Sequence, residues 1–459
     1  MSRRIPAATT GRVDAGLNRG STAAFAKPDR RGLRPCRTDL MYLDTADALR
    51  FTPAATSAPQ FRPGLISLPA LNATISRLWS AGLRPRPVLE PEALLARAVR
   101  QIGVDNFGEA GQWRALLECL TSALAGANLS PIGEIVAESQ LTGALAARLR
   151  ARAIWRANPE IAALPITAPI VIIGQMRSGT TRLQRLLAAD PRLDHTRLFE
   201  SWLPIGSARP SRLDLRRARA ALWLAGTRAI NPGFTVIHPT AAGAADEEAG
   251  LLGVTMCSSQ YEIQWRVPDY ARACETIDRE PVYAEFKALL QITRWLRGRT
   301  AAADRPWVLK VPQFSQDLAA LLKVFPDARL LCLDRDAATT LASSTSLVHN
   351  QMAMQSDSVD PQWIGGEWLH KMALRDRIRR DVLATGGTPY LAIDYAAMDH
   401  DWRAELYHIY DFLQIPLPGP VIDRMAAFLS RSGARHQHHY DLAQFGLDPD
   451  RIRTRLAPA

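Results

Sequence analysis

Five short apolar runs of the kind that form buried strands each end in residues that can bind or transfer a charged group. In open parallel sheets, ligands bind beyond the carboxyl ends of the strands. Five such endings together therefore predict a site for a strongly anionic ligand at one edge of a sheet. The endings are Gly174–Thr181, Glu200, Lys310, Asp334–Asp336 and Asp394–Tyr395.

The first ending is the most specific of the five. Gly174 and Gly179 are spaced as in a P-loop, and a helical pattern follows them. The backbone amides of such a loop, together with the helix N-terminus, cradle phosphate-type oxygens. A nucleotide-triphosphate P-loop needs lysine after the second glycine, but Thr180 stands there, and Arg177 brings the positive charge two residues before Gly179. The loop therefore predicts an anion site that lacks the usual P-loop residues for a nucleotide triphosphate and its magnesium ion.

Two segments carry a family resemblance. Residues 169–187 (PIVIIGQMRSGTTRLQRLL) resemble the 5′-phosphosulfate loop of sulfotransferases that use 3′-phosphoadenosine 5′-phosphosulfate (PAPS), in the branch with an Arg-Ser-Gly-Thr-Thr loop. That branch includes tyrosylprotein sulfotransferases and many bacterial members. Residues 307–347 are similar to the family's second signature, in which Arg335 and Ser343 have the required spacing. Further similar segments lie at 238–248, 390–402 and 438–452, so the resemblance covers most of the chain from residue 90 to residue 455.

The resemblance implies a role for each matching residue. The 3′-phosphate of the cofactor would be bound by Arg335 and Ser343, with Tyr395 also at the cofactor site. During sulfuryl transfer, charge develops mainly on the oxygen that bridges to the nucleotide, so fixed cations can replace a metal. We therefore expect Arg177 and Lys310 to stabilise the transferring group, and no metal to be required. The 5′-phosphosulfate would be held by Arg177, Ser178, Gly179, Thr180 and Thr181.

The acceptor hydroxyl must lose a proton, so a general base is required. Glu200 lies 23 residues after Arg177 and resembles the catalytic glutamate of this branch, so it is the predicted base. His238 is the second candidate, because small-molecule sulfotransferases use histidine. Glu247 and Glu248 precede an apolar helical run and are interpreted as an acidic cluster at a helix N-terminus.

Two other groups of residues are open to more than one interpretation. His436, His438 and His439 form a histidine-rich tract, but no carboxylate or cysteine nearby has metal-ligand spacing. The resemblance places this segment near the nucleotide as a lid. Trp265 and Tyr270 could line an acceptor pocket or belong to the core.

The composition excludes several classes of protein. The chain has 459 residues, 47% of them hydrophobic, and a net charge of +11. Residues 1–38 hold nine basic and two acidic residues, which leaves only +4 for the remaining 421. A nucleic-acid-coating body is therefore not expected. The five cysteines fit neither a disulfide framework nor a zinc site. No apolar run is long enough to span a membrane and no secretory signal is present, so a cytoplasmic protein is expected.

The pattern along the chain predicts three regions. Residues 1–60 are interpreted as a disordered basic tail and residues 61–165 as a helical region packed on the core. Residues 166–459 are predicted to form an α/β domain, with a P-loop-type parallel sheet flanked by helices. Within it, residues 205–300 are predicted to be a helical insertion that carries the acceptor site. The predicted strands are 169–174, 197–199, 307–311, 329–333 and 389–393.

The sequence thus predicts an enzyme, a PAPS-dependent sulfotransferase. Its acceptor would be the hydroxyl of a small molecule, lipid or carbohydrate, and a homodimer is left open. Two alternatives remain at this point. One is a P-loop nucleotide kinase, since Leu330–Asp334 resembles an apolar strand that ends in a magnesium-binding aspartate. The other is a non-catalytic nucleotide-binding protein with the same fold.

Overall fold

The computed structural model describes residues 64–206, 214–233, 239–298, 305–431 and 442–456. The predicted tail at 1–60, the candidate base His238 and the tract His436–His439 all lie outside the described residues.

A parallel sheet of five strands forms the centre of the described chain, in the order β2-β3-β1-β4-β5. In the register, Val171 of the central strand lies between Leu309 and Leu330 of its two neighbours. The predicted α/β class with a parallel sheet is therefore confirmed. The strands are β1 (Ile170–Gly174), β2 (Asp194–His195), β3 (Trp307–Lys310), β4 (Arg329–Asp334) and β5 (Tyr390–Asp394).

One strand prediction is wrong. Residues 197–199 were expected to be a strand, but the strand β2 lies at Asp194–His195, and the chain turns into a helix, α6, at Leu198. The reason is local. The Glu200 carboxylate accepts a hydrogen bond from the backbone N–H of Arg197 at 2.9 Å. A glutamate that reaches back three residues in this way stabilises the first turn of a helix.

Helices surround the sheet. Four precede it: α1 (Leu68–Ser80), α2 (Pro91–Ile102), α3 (Gln112–Leu124) and α4 (Pro131–Ala157). After β1 come α5 (Thr180–Leu187) and, beyond β2, α6 (Leu198–Trp202), α7 (Leu215–Ile230), α8 (Ala249–Val254), α9 (Ser259–Gln264), α10 (Pro268–Thr276) and α11 (Glu280–Leu296). The others are α12 (Leu318–Val324), α13 (Ala337–Ala353), α14 (Pro361–Ala384), α15 (Tyr395–His400), α16 (Trp402–Phe412), α17 (Gly419–Arg431) and α18 (Pro449–Leu456).

The sheet is buried on both faces, which explains its continuous apolar strands. Side chains of a strand alternate between the two faces. Val171 and Ile173 pack into the core shared with α2–α4 and α11, whereas Ile170 and Ile172 pack into the core shared with α5, α16 and α17. Because all strands run parallel, their carboxyl ends meet at one edge. None of the helices in the described ranges has the length and apolarity to cross a membrane.

Candidate active site

The loop after β1 has a backbone that few sequences can adopt. Gly179, directly before α5, has a φ of 100°, and Arg177 has a φ of 70°. A Cβ atom at position 179 would lie 2.5 Å from the Tyr395 ring, so a side chain there would collide with it. Ser178 Oγ donates a hydrogen bond to the Gln175 carbonyl at 2.7 Å and closes the turn. The non-glycine residue in the left-handed region carries strain of the kind found at functional sites.

This loop contacts the second predicted motif. Arg177 Nε donates a hydrogen bond to Ser343 Oγ of α13 at 3.0 Å. Arg335 Nη1 donates to the Arg177 carbonyl oxygen at 3.0 Å, and its guanidinium lies 4.3 Å from the centre of the Tyr395 ring. The two segments, more than 150 residues apart in sequence, are therefore brought together at the carboxyl end of the sheet.

Lys310 joins the same loop from the opposite side. It is the last residue of β3 and its side chain is buried. Its Nζ donates a hydrogen bond to Thr181 Oγ1 at 3.0 Å and forms an ion pair with Glu247 Oε1. The backbone N–H of Lys310 donates to Glu248 Oε2 at 2.8 Å. Lys310 thereby links the first turn of α5 to the acidic pair before α8.

The two adjacent glutamates differ in their surroundings. Glu248 is fully buried at the N-terminus of α8, and burial raises its pKa to about 8 against the opposing hydrogen bond from Lys310. The side chain of Glu247 is 24% exposed, and its Oε2 accepts no hydrogen bond from the described residues. At neutral pH Glu248 is therefore largely uncharged, and Glu247 is the acidic partner of Lys310.

Glu200 does not join this group. Its side chain, 3% exposed, accepts hydrogen bonds from Arg297 at both oxygens, at 2.9 and 2.5 Å, and Oε2 also accepts the Arg197 N–H. Burial alone would raise its pKa, but the charge and hydrogen bonds of Arg297, together with those of Arg197, outweigh burial and lower the pKa. The Arg297 guanidinium lies 4.9 Å from the ring of Trp307, which begins β3. None of Glu200's contacts in the described chain is with Arg177, Thr181 or Lys310.

The predicted position of Glu200 at a strand end is thus wrong, since it lies in α6.

The structure also shows where the two aromatic residues of the predicted insertion lie. Trp265 and Tyr270 are both buried against Tyr261, and Tyr270 donates a hydrogen bond to the Met256 carbonyl at 2.8 Å. Both belong to the core.

Sequence reasoning gave too little weight to Glu247 and Glu248. Their place at a helix N-terminus was predicted correctly, but their contacts with Lys310 were not. The signal in the sequence was the adjacent acidic pair itself, in a segment already similar to the family. Among the described residues, no group of three or more histidines, cysteines, aspartates or glutamates is arranged to hold a metal ion.

Known proteins share sequence and fold features with this chain. The family model described as "Sulfotransferase family" matches residues 169–419, more than half of the chain. No curated protein sequence gives a significant match. Among solved structures, the sulfotransferase STF1 of Mycobacterium tuberculosis H37Rv is 28% identical with a TM-score of 0.70, and the alignment covers 80% of this chain and 98% of that one.

A second structure supports the fold. The sulfotransferase STF9 of Mycobacterium avium is 23% identical, also with a TM-score of 0.70, over 80% of this chain and 95% of its own. The family match includes the loop after β1, Lys310, Arg335 and Ser343. This chain therefore belongs to the sulfotransferase family.

Proposed function

We propose that this enzyme transfers a sulfuryl group from PAPS to an acceptor hydroxyl. Family membership supports sulfuryl transfer in general. The proposal of PAPS as the sulfuryl donor rests on the hydrogen bond between Arg177 and Ser343, at 3.0 Å. It joins the loop suited to a 5′-phosphosulfate to the motif suited to a 3′-phosphate, and a donor with both groups would occupy both.

The residues present fit this cofactor, which supplies the sulfuryl group when bound. Position 179 has no room for a side chain, because a Cβ atom there would collide with the Tyr395 ring. With glycine at this position, the backbone of the loop can approach the cofactor closely. The amides of Ser178–Thr181 with Arg177 would hold the 5′-phosphosulfate oxygens. Arg335 and Ser343 would hold the 3′-phosphate, since guanidinium and hydroxyl groups are strong donors to phosphate oxygens.

Lys310 is the proposed stabiliser of the leaving oxygen. Its Nζ lies 3.0 Å from Thr181 Oγ1, in the first turn of α5, and therefore beside the proposed 5′-phosphosulfate site. A buried ammonium at that point stabilises the negative charge that develops as the sulfur–oxygen bond breaks. Arg177 contributes a second fixed charge.

For the general base, Glu247 is our candidate. It contacts Lys310 directly, it is partly exposed, and one of its oxygens accepts no hydrogen bond from the described residues. It can therefore accept a proton without first losing a partner at that oxygen. The assignment to Glu200 stays a prediction from the resemblance. Both of its oxygens are already held by Arg297, so proton transfer there would require breaking a buried ion pair.

The acceptor site is proposed to lie among the helices of residues 205–300. These helices include the segment that brings Glu247 to Lys310, so an acceptor beside Glu247 would contact them. Screening hydroxylated lipids, carbohydrates and phenols with sulfur-labelled cofactor identifies the acceptor class.

Calorimetric titration tests the cofactor. We expect 3′-phosphoadenosine 5′-phosphate to bind tightly without magnesium. The Arg335→Ala variant should lose about 1.5–3 kcal/mol of binding free energy, since a charge-assisted contact is removed. The exposed Arg403→Ala serves as the matched control. Magnesium-dependent binding of ATP instead would favour the nucleotide kinase, and tight binding without transfer to any acceptor would favour the non-catalytic protein.

A further inference from the structure

One helix of the described chain has an apolar face turned to solvent. The buried face of α7, with Ala220 and Leu224, packs beside α6. Opposite to it, residues spaced three and four apart form a second apolar stripe, which runs from Leu215 through Leu222 to the end of the helix. Leu215 is 59% exposed and Leu222 is 76% exposed. A helix that is apolar on both faces is typical of one whose outer face also meets an apolar phase.

The stripe continues beyond the helix. The Ile66 backbone N–H donates a hydrogen bond to the Ala229 carbonyl at 3.0 Å, which places Leu65 and Ile66 at the C-terminal end of α7. Leu65 is 96% exposed. Four of the ten large apolar side chains exposed in the described residues thus lie on one surface, and a fifth, Trp223, lies at its edge toward α6. We call this surface the α7 outer face: Leu65, Ile66, Leu215, Leu222 and, at the edge, Trp223.

The α7 outer face is bordered by cations. Arg219, four residues after Leu215 and three before Leu222, is exposed on this side of α7, whereas Arg217 and Arg228 reach toward residues 240–243 on the other flank. Burial, and then the charges of Arg219 and Arg216, lower the pKa of Arg150 on the neighbouring α4. Within Asp214–Ile230 the only acidic residue is Asp214, and Arg216 pairs with it at 2.7 Å. This part of the surface is therefore apolar and positively charged.

We propose that the α7 outer face docks onto an anionic lipid surface. An exposed stripe of leucines with a tryptophan and an arginine beside it is the pattern of a helix that lies in the plane of a membrane interface. The arginines would be attracted to anionic headgroups while the apolar side chains enter the acyl boundary.

Charge complementarity selects lipid over a second copy of this chain. Two copies meeting through this face would bring arginines against arginines, which opposes association. The face is also close to the catalytic edge. The Trp223 ring stacks on Trp202 of α6 at 5.4 Å, and α6 in turn packs against the first turn of α8, where Ser201 Oγ accepts the Gly250 N–H. Docking here would bring the proposed acceptor site near the lipid, although the docking itself does not depend on sulfuryl transfer.

Co-sedimentation of the full chain with vesicles tests the proposal. We expect binding to vesicles of phosphatidylcholine mixed with phosphatidylglycerol, weaker binding to phosphatidylcholine alone, and loss of binding as salt rises. The double variant Leu222→Glu/Trp223→Ser should bind at least about tenfold more weakly, because it removes the apolar insertion. The Arg219→Gln variant should weaken binding to the anionic vesicles alone, by about fivefold.

A matched control separates this face from general stickiness. Leu83 is also exposed, but it lies after α1 and outside the α7 outer face, so Leu83→Glu should leave binding unchanged. Thermal unfolding of each variant reports whether the fold is kept, and Arg219→Gln changes no buried residue. Equal binding of wild type to both kinds of vesicle, no binding to either, or equal loss in Leu83→Glu would overturn the proposal. Concentration-dependent dimerisation abolished by the Leu222/Trp223 variant would identify a second copy as the occupant instead.

Discussion

Two acid–base pairs flank β3, and their surroundings are opposite. Arg297 and Glu200 lie at the side of Trp307, where the strand begins, whereas Lys310 and Glu247 lie where it ends. In the first pair, both carboxylate oxygens are satisfied and both side chains are almost fully buried. In the second, one carboxylate oxygen accepts no hydrogen bond from the described residues, and the lysine also contacts the loop after β1.

Under the proposed function, the first pair is structural and the second takes part in the reaction. A bidentate arginine–carboxylate pair with a further backbone donor is closed to other ligands. A lysine is a compact charge that can exchange one partner for another. An incoming anion beside Thr181 can therefore compete with Glu247 for Lys310, and Glu247 is then free to accept a proton. The same event at Glu200 would leave Arg297 buried with only Asp194 and the His195 carbonyl as partners.

The strongest test of this difference is to replace each glutamate by glutamine, which removes its charge. Glu247→Gln should lower the rate of transfer to an aliphatic alcohol by about 10²–10⁴-fold, the usual contribution of a general base. Transfer to 4-nitrophenol above its pKa should fall far less, because that acceptor is already deprotonated. Both rates are measured with labelled PAPS, using any alcohol found in the acceptor screen.

Glu200→Gln is the matched control for that experiment. We expect it to change transfer to both acceptors in the same proportion, through any loss of folded enzyme. A selective loss with the alcohol in Glu200→Gln, and none in Glu247→Gln, would return the base to Glu200. Absence of transfer by the wild-type enzyme to every acceptor would count against the proposed function itself.

The free energy of unfolding, unlike the transfer rate, should depend more on the Arg297–Glu200 pair than on the Lys310–Glu247 pair. Arg297→Met leaves the Glu200 carboxylate buried without its partner, which typically costs about 3–5 kcal/mol. Because the pair lowers the Glu200 pKa, its contribution is present above the unfolded pKa of about 4.3 and is lost as the pH falls through the folded value. Urea unfolding should therefore show a large difference from wild type at pH 7 and a smaller one in acid. A constant difference at every pH would contradict this.

What could be predicted from the sequence was local in the chain. The spacing from Gly174 to Thr181, and from Arg335 to Ser343, is set within one strand–loop–helix unit. The two units contact each other because β1 and β4 are neighbours in the parallel sheet. Lys310 could be found because it follows an apolar strand. Pairings across long separations could not be found in this way. Lys310 and Glu247 are 63 residues apart, and Arg297 and Glu200 are 97 apart, so nothing local indicates which glutamate each cation will meet.

The smallest expected effect concerns Glu248. It extends the contrast between the two ends of β3 to the pH dependence of the free energy of unfolding. With a pKa of about 8, Glu248 keeps its proton in the folded protein between about pH 4.3 and 8, a range over which the unfolded chain has already lost it. Stability should fall over that range by up to about 1.4 kcal/mol per pH unit, the opposite sign to Glu200. Glu248→Gln keeps an acceptor for the Lys310 N–H and removes this slope. Urea unfolding at pH 6, 7 and 8 should therefore show that the variant becomes increasingly more stable than wild type as the pH rises. If the free energies of unfolding of the two proteins change with pH in parallel, Glu248 does not hold this proton.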